Sequence, residues 1–503
     1  MRTVTQFFIV CFACLGLSTQ ALYAQFLDSA QVRVGTMLSI ASQDYQPLWL
    51  VSQRWGTMSD QKFDFTSHLK FHNKHMLGSS DPFRRYVSKI KRRAVPAISY
   101  GISIYNNQLF KEAFIQEGYV KLQLGNWQLA GGRYQETTGD VPSQISSGSL
   151  GISENALPIP KVSIGVVDYT DVPLIPAGWV QFKGQISTGW MEKDAYVKNA
   201  KFHQRSLYFQ VGKKPFASRK NLTAFSLFGG LNQFVIWGGE HPEKGPQQSE
   251  WKNLAQVIVP GNNLGFFDYG FTLLTQGYKI RGYTQVPFES KSNINPLRIK
   301  DRMVGIVLSD TRSGSYFPTI TLEGINTTWQ DPNPENPSRF EDYNFYNNSV
   351  YADGWSYAGR ILGTSLFFNR QRATQYFGEN YNTNTQYDWN IVNNRVNGVH
   401  LGVKGQIPYQ PLYYRTLFTY TINHGNYFVP GVFDSDNQVY LMQEMAYQYH
   451  ALRITAALGC DIGSLTTNVG TLLGVEYDLN YTGDRGTVGN KKYRRRNSFR
   501  KRW

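Results

Sequence analysis

Short segments in which apolar and polar residues alternate recur along the chain after its first 24 residues, and many of them end in aromatic residues. Residues 178–189 and 413–422 are two examples. No stretch after residue 24 contains the roughly 20 consecutive apolar residues that a membrane-spanning helix needs. A chain inside a lipid bilayer must satisfy its backbone hydrogen bonds internally, so it crosses only as helices or as a closed barrel. Repeated alternation with aromatic residues near strand ends is typical of a transmembrane β-barrel.

The N-terminus is typical of a secretory signal peptide. Arg2 supplies a positive charge, residues 7–17 are apolar, and small residues follow near Ala24. We favour cleavage before Gln25, and cleavage after Ala21 is the alternative. The apolar run is too short for a membrane anchor, and the residues preceding Cys14 do not match a lipidation signal. We therefore predict a signal peptide over residues 1–24 and export to the outer membrane of a Gram-negative bacterium.

Cysteine content and charge agree with export. Removal of residues 1–24 leaves Cys460 alone, so the exported chain forms no internal disulfide. The formal net charge is +15, but eight cations lie in a tail, residues 487–503, that contains no acidic residue. They are Lys491, Lys492, Arg494, Arg495, Arg496, Arg500, Lys501 and Arg502. Export argues against nucleic acid as their partner, which leaves anionic lipid, an acidic polymer or a solvated extension.

The pattern predicts an all-β fold, a transmembrane antiparallel β-barrel of roughly 16–18 strands with a small helical plug, over residues 25–486. The clearest hairpin joins 117–124 to 127–136 through the two-residue turn Gly125-Asn126. Residues 44–56 have helical spacing, and 81–93 are predicted as a turn or short helix. Gly229-Gly230 is predicted as a turn between strands, and so is the segment 237–240. The predicted strands are 31–41, 62–72, 96–106, 117–124, 127–136, 178–189, 204–213, 223–229, 231–238, 264–275, 277–285, 302–309, 315–325, 358–369, 395–406, 411–423, 437–448, 450–458 and 470–482.

Two long connections, 329–357 and 370–396, are rich in aromatic and polar residues and are predicted as surface loops. Aromatic rings stack on the C–H faces of sugars, and neighbouring polar groups bind the hydroxyls. The candidate polysaccharide-binding residues are Trp329, Tyr343, Tyr346, Tyr351, Trp355, Tyr357, Tyr381, Tyr387 and Trp389. The alternative is that these rings form an aromatic girdle or pack within the loops.

The sequence predicts no catalytic residues, no metal site and no cofactor. None of its eight histidines lies in a His-Glu-x-x-His motif, and no Gly-x-Ser-x-Gly motif is present. His68, His72 and His75 form a cluster in sequence. In the predicted strand His68 and His72 stand roughly 13 Å apart at about 3.3 Å per residue, which is too far to share a metal ion.

Several phrases resemble the Wzi-type capsule assembly proteins of outer membranes, particularly the divergent forms of the Bacteroidetes group. The ordered set spans most of the chain after residue 24, and its most specific part is Asn155-Ala-Leu-Pro-Ile-Pro160. The phrases are Tyr45-Gln-Pro-Leu-Trp-Leu50, Arg54-Trp-Gly56, Gly125-Asn-Trp-Gln-Leu-Ala-Gly-Gly-Arg133, the segment 146–161, Gly178-Trp-Val-Gln-Phe-Lys-Gly184, Ser206-Leu-Tyr-Phe-Gln-Val-Gly212, Gly261-Asn-Asn-Leu-Gly-Phe-Phe-Asp268 and Tyr414-Arg-Thr-Leu-Phe-Thr-Tyr420.

The resemblance implies a monomeric, non-enzymatic barrel with a small periplasmic-side helical plug, which holds exported capsular or extracellular polysaccharide at the cell surface. Its partners would be that polysaccharide and outer-membrane lipid. Trp49 and Trp55 are the plug candidates, packed either inside the barrel mouth or over an apolar surface. The chain departs from the pattern at its end, because a basic tail follows the last predicted strand. The alternatives are a passive or substrate-specific channel and a barrel hydrolase, because one barrel type hosts all three functions.

Overall fold

Eighteen antiparallel strands form one barrel sheet, in which each strand pairs with its neighbours in sequence. The last strand pairs with the first, from Arg33 opposite Asp478 to Ala41 opposite Gly470, so the barrel is closed. The strand number lies at the upper end of the predicted range. The computed structural model describes residues 30–77, 95–176, 178–212, 224–248, 262–275, 277–289, 294–297, 300–312, 315–330, 344–378, 389–428 and 433–480. The predicted signal peptide, residues 1–24, and the basic tail, 487–503, lie outside these residues.

The barrel strands are numbered here in chain order. They are β1 (Gln31–Tyr45), β2 (Gln61–Met76), β3 (Pro96–Asn107), β4 (Glu112–Leu124), β5 (Trp127–Arg133), β6 (Lys161–Asp171), β7 (Val180–Trp190), β8 (Lys201–Gly212), β9 (Ala224–Trp237), β10 (Asn262–Thr275), β11 (Tyr278–Phe288), β12 (Arg302–Asp310), β13 (Thr319–Asn326), β14 (Val396–Gln406), β15 (Leu412–Asn423), β16 (Asp436–Tyr449), β17 (Leu452–Gly463) and β18 (Thr467–Asp478).

Strand β18 shows why these segments form a membrane wall. Val469, Leu473 and Val475 point outward and are exposed, while Leu472 and Gly474 between them are buried. Successive side chains of a strand point to opposite faces, so one face presents apolar groups to lipid and the other faces the lumen. Cys460 lies in β17 and is half-buried, as expected for a small wall residue. No helix among the described residues is long and apolar enough to cross a membrane.

The two ends of the barrel differ in their connections. At the end where β1 begins and β18 ends, residues 125–126 and 450–451 form tight turns. We call this the inner end, because short turns of outer-membrane barrels face the periplasm. At the outer end the connections 134–160 and 327–395 are much longer. Residues 81–93 belong to the inner-end connection between β2 and β3 and lie outside the described residues.

A short helix, α1 (Leu48–Val51), lies inside the barrel in the β1–β2 connection. Its four residues are buried, and it packs against β16, β17 and β18. The backbone N–H of Leu48 donates to Asp461 Oδ2 on β17 at 2.9 Å. The β1–β2 connection belongs to the outer end of the barrel. The resemblance implied a helical plug on the periplasmic side, and that position is therefore wrong for α1. The alternative in which the helix covers an outside apolar surface is wrong as well.

Three local predictions fail for identifiable reasons. Residues 358–369 are not a strand of the barrel: they lie within the β13–β14 connection, where residues 361, 362 and 366–368 are all buried instead of alternating. Gly229 and Gly230 lie within β9 instead of forming a turn. A Cβ atom at Gly230 would come within 2.3 Å of the Tyr208 ring, so the missing side chain admits that ring. Strand β6 was not predicted, and its register shift between Val166 and Thr170 interrupts its alternation.

Candidate functional site

The outer half of the lumen is filled by three connections: 46–60, 134–160 and the described parts of 327–395. Their buried residues, such as Leu50, Leu150 and Trp355, form one hydrophobic cluster with wall residues such as Phe234 and Leu417. Unfilled barrels of about 16–18 strands leave an aqueous channel. Here the hydrophobic core of the protein lies inside the barrel, where it blocks the outer half of the lumen.

Residues 134–160 are held between the wall and the β13–β14 connection by buried hydrogen bonds. On the wall side, Ser147 Oγ donates to Glu323 Oε2 at 2.6 Å and the Leu150 N–H donates to Gln285 Oε1 at 2.9 Å. On the other side, Asn155 Nδ2 donates to the Ile361 carbonyl oxygen at 2.8 Å. Buried polar groups that are all paired in this way fix one arrangement. The Asn155–Pro160 block therefore has a structural role in closing the lumen.

Most of the predicted sugar-binding aromatic residues belong to this interior packing. Tyr346, Tyr351, Trp355, Tyr357 and Trp389 are each no more than 6% exposed. Tyr346 donates its hydroxyl to the Leu150 carbonyl oxygen at 2.7 Å, and Tyr351 donates to that of Gly238 at 2.9 Å. The expectation of an exposed stacking surface is therefore wrong for these five residues. They pack within the loops, which was the alternative considered from the sequence. Of the other candidates, Tyr343, Tyr381 and Tyr387 lie outside the described residues.

Trp329 is the one described candidate that is exposed, with 44% of its surface accessible. It follows β13 at the outer end, and its backbone N–H donates to Asp301 Oδ1 at 3.0 Å. Lys300 places its ammonium group 3.2 Å from the centre of the Trp329 ring. A second exposed ring, Tyr427, lies near Thr328 and is 40% exposed. The Arg395 guanidinium lies 3.6 Å from the centre of the Tyr427 ring.

The backbone at Thr328 links the Lys300–Trp329 pair to the Arg395–Tyr427 pair. Arg395 Nε and the Tyr427 hydroxyl both donate to the Thr328 carbonyl oxygen, at 3.2 and 3.3 Å. We call Lys300, Trp329, Arg395 and Tyr427 the rim patch. It combines two partly exposed rings with two cations, each of which lies over one of the rings, and this combination suits sugar rings carrying negative groups. Only Trp329 was predicted from sequence, because the other three join it through chain segments that are distant in sequence.

The predicted plug residues are both inside the barrel. Trp49 is buried, and its indole Nε1 donates to Thr419 Oγ1 on β15 at 3.1 Å. Trp55 is half-buried, and its backbone N–H donates to the Glu154 carbonyl oxygen at 2.6 Å. Arg54 connects this segment to the wall, because its Nη2 lies 2.6 Å from Glu444 Oε2. Through these contacts the segment packs against the barrel wall and the 134–160 connection.

Two carboxyl groups outside the strands are perturbed by the interior packing. Burial raises the pKa of Glu154, which accepts a hydrogen bond from Ser143. Burial also raises the pKa of Glu289 to about 8, against the opposing effect of a hydrogen bond from the Tyr346 N–H at 2.7 Å. Glu289 follows β11 at the outer end, so its charge state bears on how the β13–β14 connection is held.

The described residues contain no group of three or more histidine, cysteine or acidic side chains that could hold a metal ion. His68 pairs with Glu476 at 3.0 Å, whereas His72 Nδ1 lies 3.3 Å from the Tyr119 hydroxyl. His68 and His72 of β2 thus have separate partners along the wall.

Comparisons with known proteins agree with this architecture. The family model described as "Capsule assembly protein Wzi" matches residues 53–394. The fold is similar to that of Wzi from Escherichia coli, described as an outer membrane protein involved in group 1 capsule assembly and a carbohydrate-binding β-barrel. The two chains are 16% identical, 91% of this chain and 86% of that chain are covered, and the TM-score is 0.55. OccK11 (OpdR) of Pseudomonas aeruginosa is 10% identical over 90% of this chain and 97% of its own, with a TM-score of 0.44. No curated protein matches the sequence.

Proposed function

Because the chain belongs to the Wzi capsule assembly family, we propose that it binds exported polysaccharide and anchors it at the cell surface without chemical conversion. The chain is an outer-membrane β-barrel of a Gram-negative bacterium. The observation that carries the proposal is the filled outer half of the lumen beneath an exposed rim patch. A barrel filled in this way suits attachment at its outer face better than passage through its centre.

The interior packing disfavours the channel alternative. Loop side chains such as Leu50 and Trp355 are at most 1% exposed, and they form one cluster with the wall. Opening a channel would separate these contacts and expose apolar surface, at about 25 cal/mol for each Å². Passive diffusion therefore does not follow from the strand number.

The rim patch supplies suitable chemistry for a polysaccharide. The exposed faces of Trp329 and Tyr427 suit the C–H faces of sugar rings, and Lys300 and Arg395 suit carboxylate or other acidic substituents. Binding by a few such groups is weak for one sugar unit. A repeating polymer engages many barrels on one cell, so its overall attachment is much stronger than any single contact.

The experiment compares cell-bound and released polysaccharide in a strain from which the gene is deleted. The same strain is also measured after the wild-type gene or a variant gene has been returned to it. We expect the deletion strain to make polysaccharide but shed it into the medium. The double variant Trp329→Ala/Tyr427→Ala, with a correctly inserted barrel, is expected to shed most of it as well. Trp355→Ala and Trp389→Ala test the buried candidates, and we expect them to act through barrel stability alone.

Tyr409→Ala is the matched control, because Tyr409 is an aromatic residue that is 89% exposed at the inner end. It should retain polysaccharide like the wild type. Full retention in the deletion strain would contradict surface anchoring. If the deletion strain shed polysaccharide but the rim-patch variant retained it fully, the anchoring role would be supported. The rim patch would then not be the contact for the polysaccharide.

A further inference from the structure

A second recess lies on the other side of the interior packing. It is a cavity of about 750 Å³ between the lumen-filling connections and the inner end of the barrel. Gln53, Trp55 and Glu154 of the connections line it, and so do Phe317 and Tyr413 near the inner-end turns. We call it the inner chamber. Its volume falls within the roughly 300–1,000 Å³ typical of ligand sites.

Cations outnumber carboxylates in the lining of the inner chamber. Five side chains carry a positive charge and three carry a carboxyl group. The cations are Arg54, Lys70, Lys404, Arg415 and Arg453, and the carboxyl groups are Glu154, Glu444 and Glu476. The imbalance favours an anion in a recess whose walls have a lower dielectric constant than water.

Two of the carboxylates already have cationic partners within the protein. Glu444 Oε2 lies 2.6 Å from Arg54 Nη2 and 3.2 Å from Arg415 Nη2. Glu476 Oε2 lies 2.8 Å from Lys70 Nζ and 3.0 Å from His68 Nε2. Glu444 thus faces two guanidinium groups and Glu476 faces Lys70 and His68, so these carboxylates already have cationic partners.

Lys404 and Arg453 lie outside both clusters, and Glu154 acts on Lys404 only electrostatically. Among the described residues neither forms a salt bridge: Lys404 Nζ donates to the Ser143 carbonyl oxygen at 3.0 Å, and Arg453 lies 5.9 Å from the centre of the Tyr413 ring. Both are half-buried on the lumen side. A partly desolvated cation that no carboxylate contacts directly can form a charge-assisted hydrogen bond with an incoming anion.

The remaining lining matches a sugar better than a simple anion. Five aromatic rings lie in the lining, together with amide side chains that both donate and accept hydrogen bonds. The rings are Trp55, Tyr105, Phe317, Tyr413 and Tyr414, and the amides are Gln53, Gln135, Gln144 and Gln406. Rings cover C–H faces, and amides pair with hydroxyls through either of their groups.

We propose that the inner chamber is a second binding site, which takes a short stretch of an acidic saccharide, such as a uronic acid chain, from the periplasmic side. Lys404 and Arg453 bind its carboxylates, and Trp55 and Tyr413 contact its ring faces. This site lies across the interior packing from the rim patch and does not depend on it. Through it the barrel contacts acidic saccharide on the side opposite the cell surface.

In the test, a galacturonic acid hexasaccharide is titrated into the purified full-length barrel in detergent. Binding is measured by calorimetry and by the change in tryptophan emission. The background variant Trp329→Ala/Tyr427→Ala removes the rim patch, and we expect it to keep one binding site. Adding Lys404→Gln and Arg453→Gln should weaken that binding at least tenfold, and raising the salt concentration should weaken it in the background variant. Adding Trp55→Phe instead should remove the emission change.

Lys62→Gln/Lys111→Gln in the same background is the charge-matched control, because both lysines are exposed at the outer end; we expect it to bind like the background. A neutral maltohexaose should not bind measurably. Absence of binding in the background variant, or undiminished binding after the Lys404 and Arg453 changes in a barrel with normal folded gel mobility, overturns the proposal. Neither result bears on capsule retention, which is measured on cells with the rim-patch variant.

Discussion

Trp355 donates its indole N–H to the carbonyl oxygen of Gly151 at a distance of 2.7 Å. This bond joins the β13–β14 connection to the β5–β6 connection inside the barrel. The Trp355 ring is fully buried and packs against Phe234 and Phe202, with ring centres 5.5 and 6.2 Å apart. One side chain thus holds two loops and the wall together, and its position shows how loops between strands fill the lumen of a wide barrel.

Replacing this residue tests whether the interior packing stabilises the protein. Trp355→Ala should lower the free energy of unfolding by about 3–5 kcal/mol, because it leaves a cavity and an unpaired carbonyl oxygen. Denaturant titration of the barrel in detergent measures the change. Trp329→Ala, a tryptophan exposed at the rim, should cost less than about 1 kcal/mol. Equal losses for the two variants would show that the interior contact has no special weight.

The charge cluster around Glu444 leads to a second prediction. Its carboxylate faces two guanidinium groups, and Arg54 also donates to the Leu50 carbonyl oxygen of α1 at 2.7 Å. Glu444→Gln should destabilise the barrel by about 3 kcal/mol, because it leaves two nearby cations uncompensated. It should also loosen α1, which would appear as intermittent ion conductance in planar bilayers.

The double variant Arg54→Gln/Glu444→Gln is the control for this cluster. It removes one cation together with the carboxylate, so part of the lost stability should return. A double variant that is less stable than the sum of the single changes would contradict the compensating role of Glu444.

The wall could be predicted from sequence because each of its strands has one lipid face and one lumen face. Alternation is then a direct consequence of position, as in β18, where Val469 and Leu473 point outward. The prediction of a turn at Gly229-Gly230 was wrong because glycine also occurs within strands, where its missing side chain leaves room for a neighbouring aromatic ring. That contact involves Tyr208 of the neighbouring strand, and no local pattern encodes it.

The candidate site was harder to predict for a different reason. Aromatic residues in a long polar loop look alike in sequence, whether they face water or fold back into a lumen. Trp329 and Trp355 belong to the same connection, yet one is 44% exposed and the other fully buried. The difference depends on contacts with Lys300 in one case and Gly151 in the other. Such pairings arise only after the barrel has brought distant segments together.

Glu289 predicts how stability depends on pH. Its pKa is raised from 4.5 to about 8 by burial, so the folded protein keeps a proton that the unfolded chain loses. Stability should therefore be fully present below about pH 4.5 and should fall as the pH rises to about 8. Unfolding midpoints measured from pH 5 to 9 should show this decline, and Glu289→Gln should flatten it. An unchanged pH profile in the variant would assign the dependence to other groups.

The seat of α1 against the wall gives the last prediction. A Cβ atom at Gly470 of β18 would come within 2.7 Å of Pro47 Cδ and 3.0 Å of Leu50 Cδ1, so Gly470→Ala should displace the helix. Overpacking of this kind costs about 1–3 kcal/mol, measurable by denaturant titration. Gly131→Ala in β5 is the matched control, because a Cβ atom there has no other atom within 4 Å. That variant should be neutral or slightly stabilising, since alanine restricts the unfolded chain. If Gly470→Ala were equally neutral, α1 would not be held against β18 by close packing.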